Sequence, residues 1–221
     1  MFLSRIAINR QLRKSRQALA FPQMMHAAVL GSFPPIFEDE NERERARVLW
    51  RIDTESMRTW LYVLSEIKPD FQHIVEQFGW RDSEQSCKTK EYDSFLNRLQ
   101  VGQRWHFRLH ANPVRTVAGK RVPLTLVQQK LWMREQAKRC GFSLAYSDIG
   151  VEEHDTFEVA YRSTIGFKKL PGDKEQVTLS VATFEGLLIV EDADKLRLAL
   201  RAGIGKAKAY GCGLLTLANE K

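Results

Sequence analysis

The stretch Gln103-Arg-Trp-His-Phe-Arg-Leu-His110 alternates without a break. Gln103, Trp105, Phe107 and Leu109 fall on one side, and Arg104, His106, Arg108 and His110 on the other. A period of two predicts a β-strand with one face on a core and one basic face. Outward from it, residues 111–124 read as a loop carrying Arg115, Lys120 and Arg121. Thr125 is an N-cap for a helix over about 126–140, which Gly141 stops. Strands follow at 142–147 and 156–162. The polar segment 163–175, with Lys168, Lys169, Pro171, Gly172 and Asp173, has turn chemistry. A strand through Val177, Leu179 and Val181 continues toward 190. Asp192 caps a helix that carries Leu196 and Leu200 on one stripe and ends at Gly203. Leu214–Ala218 makes a last strand. This half reads β-α-β-β-α-β.

The first half reads the same way more faintly. Phe2, Ile6 and Ile8 share one face of a strand over 2–8, with Arg5 on the other. A basic stretch with Arg10, Arg13, Lys14 and Arg16 follows. Pro22 suits the first turn of a helix through Met25, His26, Val29 and Leu30. Residues 38–47 are densely charged and read as solvated. Val48–Ile52 and 59–64 suggest a hairpin, and Pro69 opens a short helix that closes at Gly79. Residues 81–94 read as a polar connection, with only a weak final strand. Two βαββαβ halves predict an α+β chain of two tandem ferredoxin-like (RRM-like) domains with antiparallel sheets, 1–94 and 95–221.

Hydrophobic residues make up 43% and charged residues 28%, which excludes disorder as the dominant state. Lys and Arg number 34 against 27 Asp and Glu, a net charge of +7. That excess fits a polyanion partner and an incidentally basic protein about equally. Cys87, Cys140 and Cys212 are far apart, with no CxxC pair and no histidine at zinc-ligand spacing, so no disulfide framework or metal site is expected. With no apolar run of membrane length and no signal-peptide core, these thiols point to a cytoplasmic protein.

Four glycines punctuate Gly203-Ile-Gly205-Lys206-Ala-Lys208-Ala-Tyr210-Gly211-Cys-Gly213. Backbone N–H groups of such a loop can hold phosphate oxygens, Lys206 and Lys208 add charge, and Tyr210 could stack on a base. The other reading is a helix C-cap followed by a tight turn. The spacing matches neither a Walker loop nor a dinucleotide fingerprint.

The segment GIGKAKAYGCGLLTLA, 203–218, resembles the C-terminal glycine-rich signature of RAMP-type CRISPR proteins, and more narrowly the CasE family of CRISPR repeat endoribonucleases. VGQRWHFRLHANPVRT (101–116), KRVPLT (120–125), TFEGLLIVEDADKL (183–196), FLSRIAIN (2–9) and FPQMMHAAVLGSFP (21–34) resemble further segments of that family. The resemblance implies two ferredoxin-like domains and cleavage of the CRISPR repeat stem-loop without a metal or other cofactor. It also implies retention of the product with other subunits in a Cascade-type complex.

Such cleavage uses the 2′-hydroxyl as nucleophile, helped by a base, an acid for the departing 5′-oxygen and nearby positive charge. Residue chemistry alone does not choose among His26, His73, His106, His110 and His154. The resemblance selects His26 as catalytic. Family members commonly carry a tyrosine three residues earlier, where this chain has Gln23. Gln cannot exchange protons, but it can hydrogen-bond the phosphate. A subunit that binds CRISPR RNA without cutting it therefore stands as the alternative. Arg13, Arg16, Arg104, Arg108, Arg115, Lys120, Arg121, Lys168, Lys169, Lys206 and Lys208 are the candidate RNA contacts. His106 and His110 read first as exposed strand residues and second as contacts beside Arg104 and Arg108.

Overall fold

The computed structural model describes residues 1–34, 48–56, 58–80, 86–117, 120–144, 146–147, 154–168 and 176–220. The charged segment 38–47, Lys169 and the remainder of the expected turn to 175 lie outside the described residues. The chain divides into two compact units, Met1–Asn97 with Lys208–Gly211, and Arg98–Ala207 with Cys212–Lys221.

In the first unit the order is β1 (Phe2–Ile8), α1 (Arg13–Ala20), α2 (Pro22–Leu30), β2 (Leu49–Glu55), β3 (Arg58–Ser65), α3 (Gln72–Phe78), β4 (Cys87–Glu91) and α4 (Asp93–Leu96). The sheet runs β2-β3-β1-β4, and every pairing is antiparallel. That is the ferredoxin-like strand order. Its core lies on one face: Ile6, Ile8, Trp50, Leu61 and Val63 pack under Met25, Val29, Ile74 and Phe78. The basic stretch after β1 is a helix, whose buried Ser15 donates to the Phe78 carbonyl at 3.0 Å. The stretch 81–94, expected as a polar connection with a weak final strand, holds that strand as β4, a lysine-bearing sheet edge with no apolar alternation to announce it.

In the second unit, β5 (Arg104–Ala111) is followed by the hairpin β6 (Val114–Val117) and β7 (Lys120–Pro123), α5 (Leu126–Arg139), β8 (Phe142–Leu144), β9 (Tyr146–Ser147) and β10 (His154–Asp155). Then come β11 (Phe157–Lys168), β12 (Gln176–Val190), α6 (Ala193–Ala202), a 3-10 turn (Lys208–Tyr210) that groups with the first unit, and β13 (Leu215–Asn219). The main sheet runs β11-β12-β5-β13, with β8 also paired to β12, again all antiparallel. The alternating stretch is central strand β5, with Phe107 and Leu109 buried. The expected loop 111–124 is instead largely the β6–β7 hairpin, and the expected turn from 163 begins as more of β11. Thr125 caps α5 through a capping box with Gln128. Asp192 caps α6 by accepting from the Lys195 amide.

Candidate RNA-cleavage site

Pro22 opens α2 at a position where its missing N–H leaves no hydrogen bond unmade. Met25 and Val29 point into the core and set the helix's roll. Successive helical residues are about 100° apart, so His26 lies on one flank of that core stripe and Ala28 on the other. The Ala28 side is occupied, since His73 Nε2 of α3 is 3.0 Å from the Ala28 carbonyl oxygen. His26 on the opposite flank is half-buried, and its Nδ1 is buried with no hydrogen-bond partner among the described residues. Burial lowers its pKa below the ordinary histidine value of 6.5. Its imidazole is therefore neutral at pH 7 and able to accept a proton. Gln23, one turn earlier and half-buried, is its neighbour at i, i+3.

The glycine-rich run splits between two roles. Gly203, at φ +74°, ends α6 as its C-cap, and its N–H donates to Ala199. Ile204 N–H donates to the Gly213 carbonyl at 2.9 Å, and Gly213 N–H to that of His110 at 2.7 Å, which closes the neck of the loop. The C-cap reading is therefore right for its start. Ala207 sits at φ +65°, a conformation uncommon for a residue with a side chain. Beyond it, the 3-10 turn packs within the first unit against both α2 and β2. β2 is the sheet's edge strand, and the turn holds half-buried Lys208 and Tyr210. Sequence reasoning placed this turn with its C-terminal neighbours, and no local signal marks the excursion.

Arg13 and Arg16 are exposed on α1, which packs beside α2; Arg16 donates to the carbonyls of Arg10 at 3.2 Å and Gln11 at 2.6 Å. The first unit thus holds His26, Gln23, Arg13, Arg16 and Lys208. The second holds the rest. There the basic face of β5 is partly neutralised. Arg108 is 2.8 Å from Glu185, and Arg104 is 3.2 Å from Glu220. His110 Nδ1 is 2.8 Å from the Thr183 hydroxyl. Arg115 and Lys168 are exposed on β6 and β11, and exposed Lys206 bridges to Asn112. Lys120 and Arg121 lie on β7, with side chains outside the described residues. Among the described residues, no three His, Cys, Asp or Glu side chains cluster as metal ligands. No helix there is long and apolar enough to cross a membrane.

The profile of a family described as CRISPR associated protein matches residues 1–219. The chain is 31% identical over 230 aligned positions to the CRISPR-associated endoribonuclease Cse3 of Thermus thermophilus, covering 99% of this chain and all of that protein. The chain belongs to the Cse3/CasE family. It is also 31% identical over 138 positions to the Cascade subunit CasE of Escherichia coli, covering 59% of this chain and 64% of that protein. A structure of Thermus thermophilus Cse3, bound to an RNA representing a pre-cleavage complex, superposes with a TM-score of 0.79 at 27% identity, covering 99% of this chain and 98% of that one. The two ferredoxin-like domains are thus a Cse3/CasE fold.

Proposed function

We propose that this chain is a metal-independent endoribonuclease that cuts CRISPR precursor RNA at the repeat stem-loop. It then keeps the mature CRISPR RNA among the other subunits of a Cascade-type complex in the cytoplasm. Its two domains divide near residue 95. The observation that carries this reading is His26, held neutral by burial on a flank of α2, with the Lys208 turn packed against that helix and the adjoining edge strand.

In the reaction, His26 takes the 2′-hydroxyl proton. The 2′-oxygen bonds to phosphorus, and the bond to the 5′-oxygen breaks. The products are a 2′,3′-cyclic phosphate and, once a proton reaches the departing oxygen, a 5′-hydroxyl. Gln23 holds no transferable proton. Its amide orients the phosphate or the hydroxyl, and the acid lies elsewhere. Lys208 places positive charge where the transition state gathers negative charge. Arg13 and Arg16 hold neighbouring phosphates, while Arg104, Arg108, Arg115, Lys120, Arg121, Lys168, Lys169 and Lys206 grip the stem through its backbone.

The direct test incubates a labelled cognate repeat hairpin with the protein in EDTA. Cleavage at a single phosphate, leaving a cyclic phosphate end, is expected. Tight binding without a cut would favour the alternative that Gln23 keeps open, a subunit that only holds CRISPR RNA. A cut that requires added Mg²⁺ would overturn the mechanism.

The pH dependence follows from the direction of the His26 shift. A base works only when unprotonated, so cleavage falls as pH drops through the folded-state pKa, by about tenfold per pH unit below it. Because burial lowers that pKa, the acid limb of the single-turnover profile should bend below pH 6.5. An inflection above 6.5 would contradict the assignment.

A further inference from the structure

We infer that the β1–β4 side of the sheet face turned away from α1, α2 and α3 binds unpaired RNA flanking the repeat hairpin; this rests on the proposed function. The helices cover the face bearing Ile6, Ile8, Leu61 and Val63. On the other face one row crosses all four strands: Lys88 of β4, Arg5 of β1, Tyr62 of β3 and Arg51 of β2 are successive register partners. Leu49, Leu64, Arg51 and Asp53 on this face are buried, with Arg51 bound bidentately to Asp53 at 2.7 and 2.8 Å, so the β2 side of the face is covered. The other end is open. Arg5 and Lys88 are exposed, as is Lys90 opposite Leu3 on the same face.

Arg5, Lys88 and Lys90 make no ion pair among the described residues. The outward positions of β1 and β4 are Leu3, Arg5, Ala7, Lys88 and Lys90, with no carboxylate among them. Like charges directly opposite one another, as Arg5 and Lys88 are, destabilise a sheet, and a polyanion would relieve them. Lysines on edge strand β4 also discourage edge-to-edge pairing, but Arg5 is on an interior strand, where that function gives no reason for it.

The adjoining aromatic points to the kind of nucleic acid. The Arg5 guanidinium carbon lies 4.3 Å from the centroid of the half-buried Trp60 ring. Paired bases present no open faces. Unpaired bases stack on aromatic rings and on guanidinium planes, so a tryptophan–arginine stack beside two lysines suits a single strand. A stem held at α2 would meet the opposite side of this sheet, which leaves its unpaired extension to reach this face.

The test compares three RNAs, the bare repeat hairpin and the same hairpin with about ten unpaired nucleotides at its 5′ end or at its 3′ end, a length within the usual single-strand site size. Dissociation constants are measured against salt for the wild type and for the triple variant Arg5→Gln, Lys88→Gln, Lys90→Gln, with matched melting temperatures as a fold control. Wild type should bind one extended RNA about tenfold more tightly than the bare hairpin. The triple variant should lose that advantage, and its salt slope on the extended RNA should fall by about 2, as expected for three phosphate contacts on a single strand. Its affinity for the bare hairpin and its cleavage of it should stay at wild-type level. An advantage that persists in the variant, or no advantage in wild type, overturns the inference and leaves these lysines as edge protection only. A protein that binds but does not cut refutes the proposed enzyme without touching this result.

Discussion

His26→Ala is expected to slow single-turnover cleavage of the repeat hairpin by at least ~10²-fold in EDTA, with its affinity for the uncut hairpin within about twofold of wild type. The size follows from removing proton transfer from the 2′-hydroxyl, which electrostatic help from Lys208 does not replace. The retained fold follows from the site. His26 is half-buried and its Nδ1 makes no hydrogen bond among the described residues, so truncation strands no partner of Nδ1 there. A variant that folds, binds and does not cut separates chemistry from recognition. His26→Ala cleaving at the wild-type rate would remove His26 from the mechanism. His73 would then be the next histidine to test, since it packs against the same helix.

How much of this was legible in the chain varies with the physics of each element. Strand β5 could be read directly, because a central strand with one buried face must alternate, and Arg104–Ala111 does. The caps at Thr125, Asp192 and Gly203 were legible because few residue types serve at those positions. Strand β4 was legible only as a weak final strand, because Lys88, Thr89 and Lys90 on a sheet edge carry no core pattern. Helix α1 begins after Leu12, which offers no side-chain cap, and its basic residues hid its two buried positions, Ser15 and Ala18. In the site, His26 came from family likeness and its flank only from three-dimensional packing. The pairing of Arg108 with Glu185 depends on strand register, because the two are distant in sequence. The same holds for Lys208–Gly211, which joins the first unit across a separation of more than a hundred residues that no local pattern encodes.

Gly211→Ala should be more damaging than Gly205→Ala, whose Cβ would come no closer than 3.3 Å to the Trp132 ring. Gly211 closes the 3-10 turn by donating to the Lys208 carbonyl at 3.3 Å, and its φ is +81°. A side chain in that region costs about 1–2 kcal/mol. The added Cβ would also lie 2.8 Å from Cζ3 and 3.0 Å from Cη2 of Trp50. Trp50 cannot swing aside easily, because it is 3% exposed and packed with Met25 and Val29. Overpacking of that kind adds about 1–3 kcal/mol, for a total of about 2–5 kcal/mol. The strain can lower the stability of the first unit, or it can be relieved by lifting the turn off α2. Either way Lys208 loses its place beside the helix of His26, and cleavage should fall at least tenfold while Gly102→Ala, whose Cβ would meet nothing within 4 Å, serves as a positive-φ control. Lys208→Ala removes the charge without the methyl clash, so it should reduce cleavage without the strain at Trp50. If Gly211→Ala melts and cuts like wild type, the turn tolerates a side chain against Trp50 and does not position the catalytic helix's neighbour.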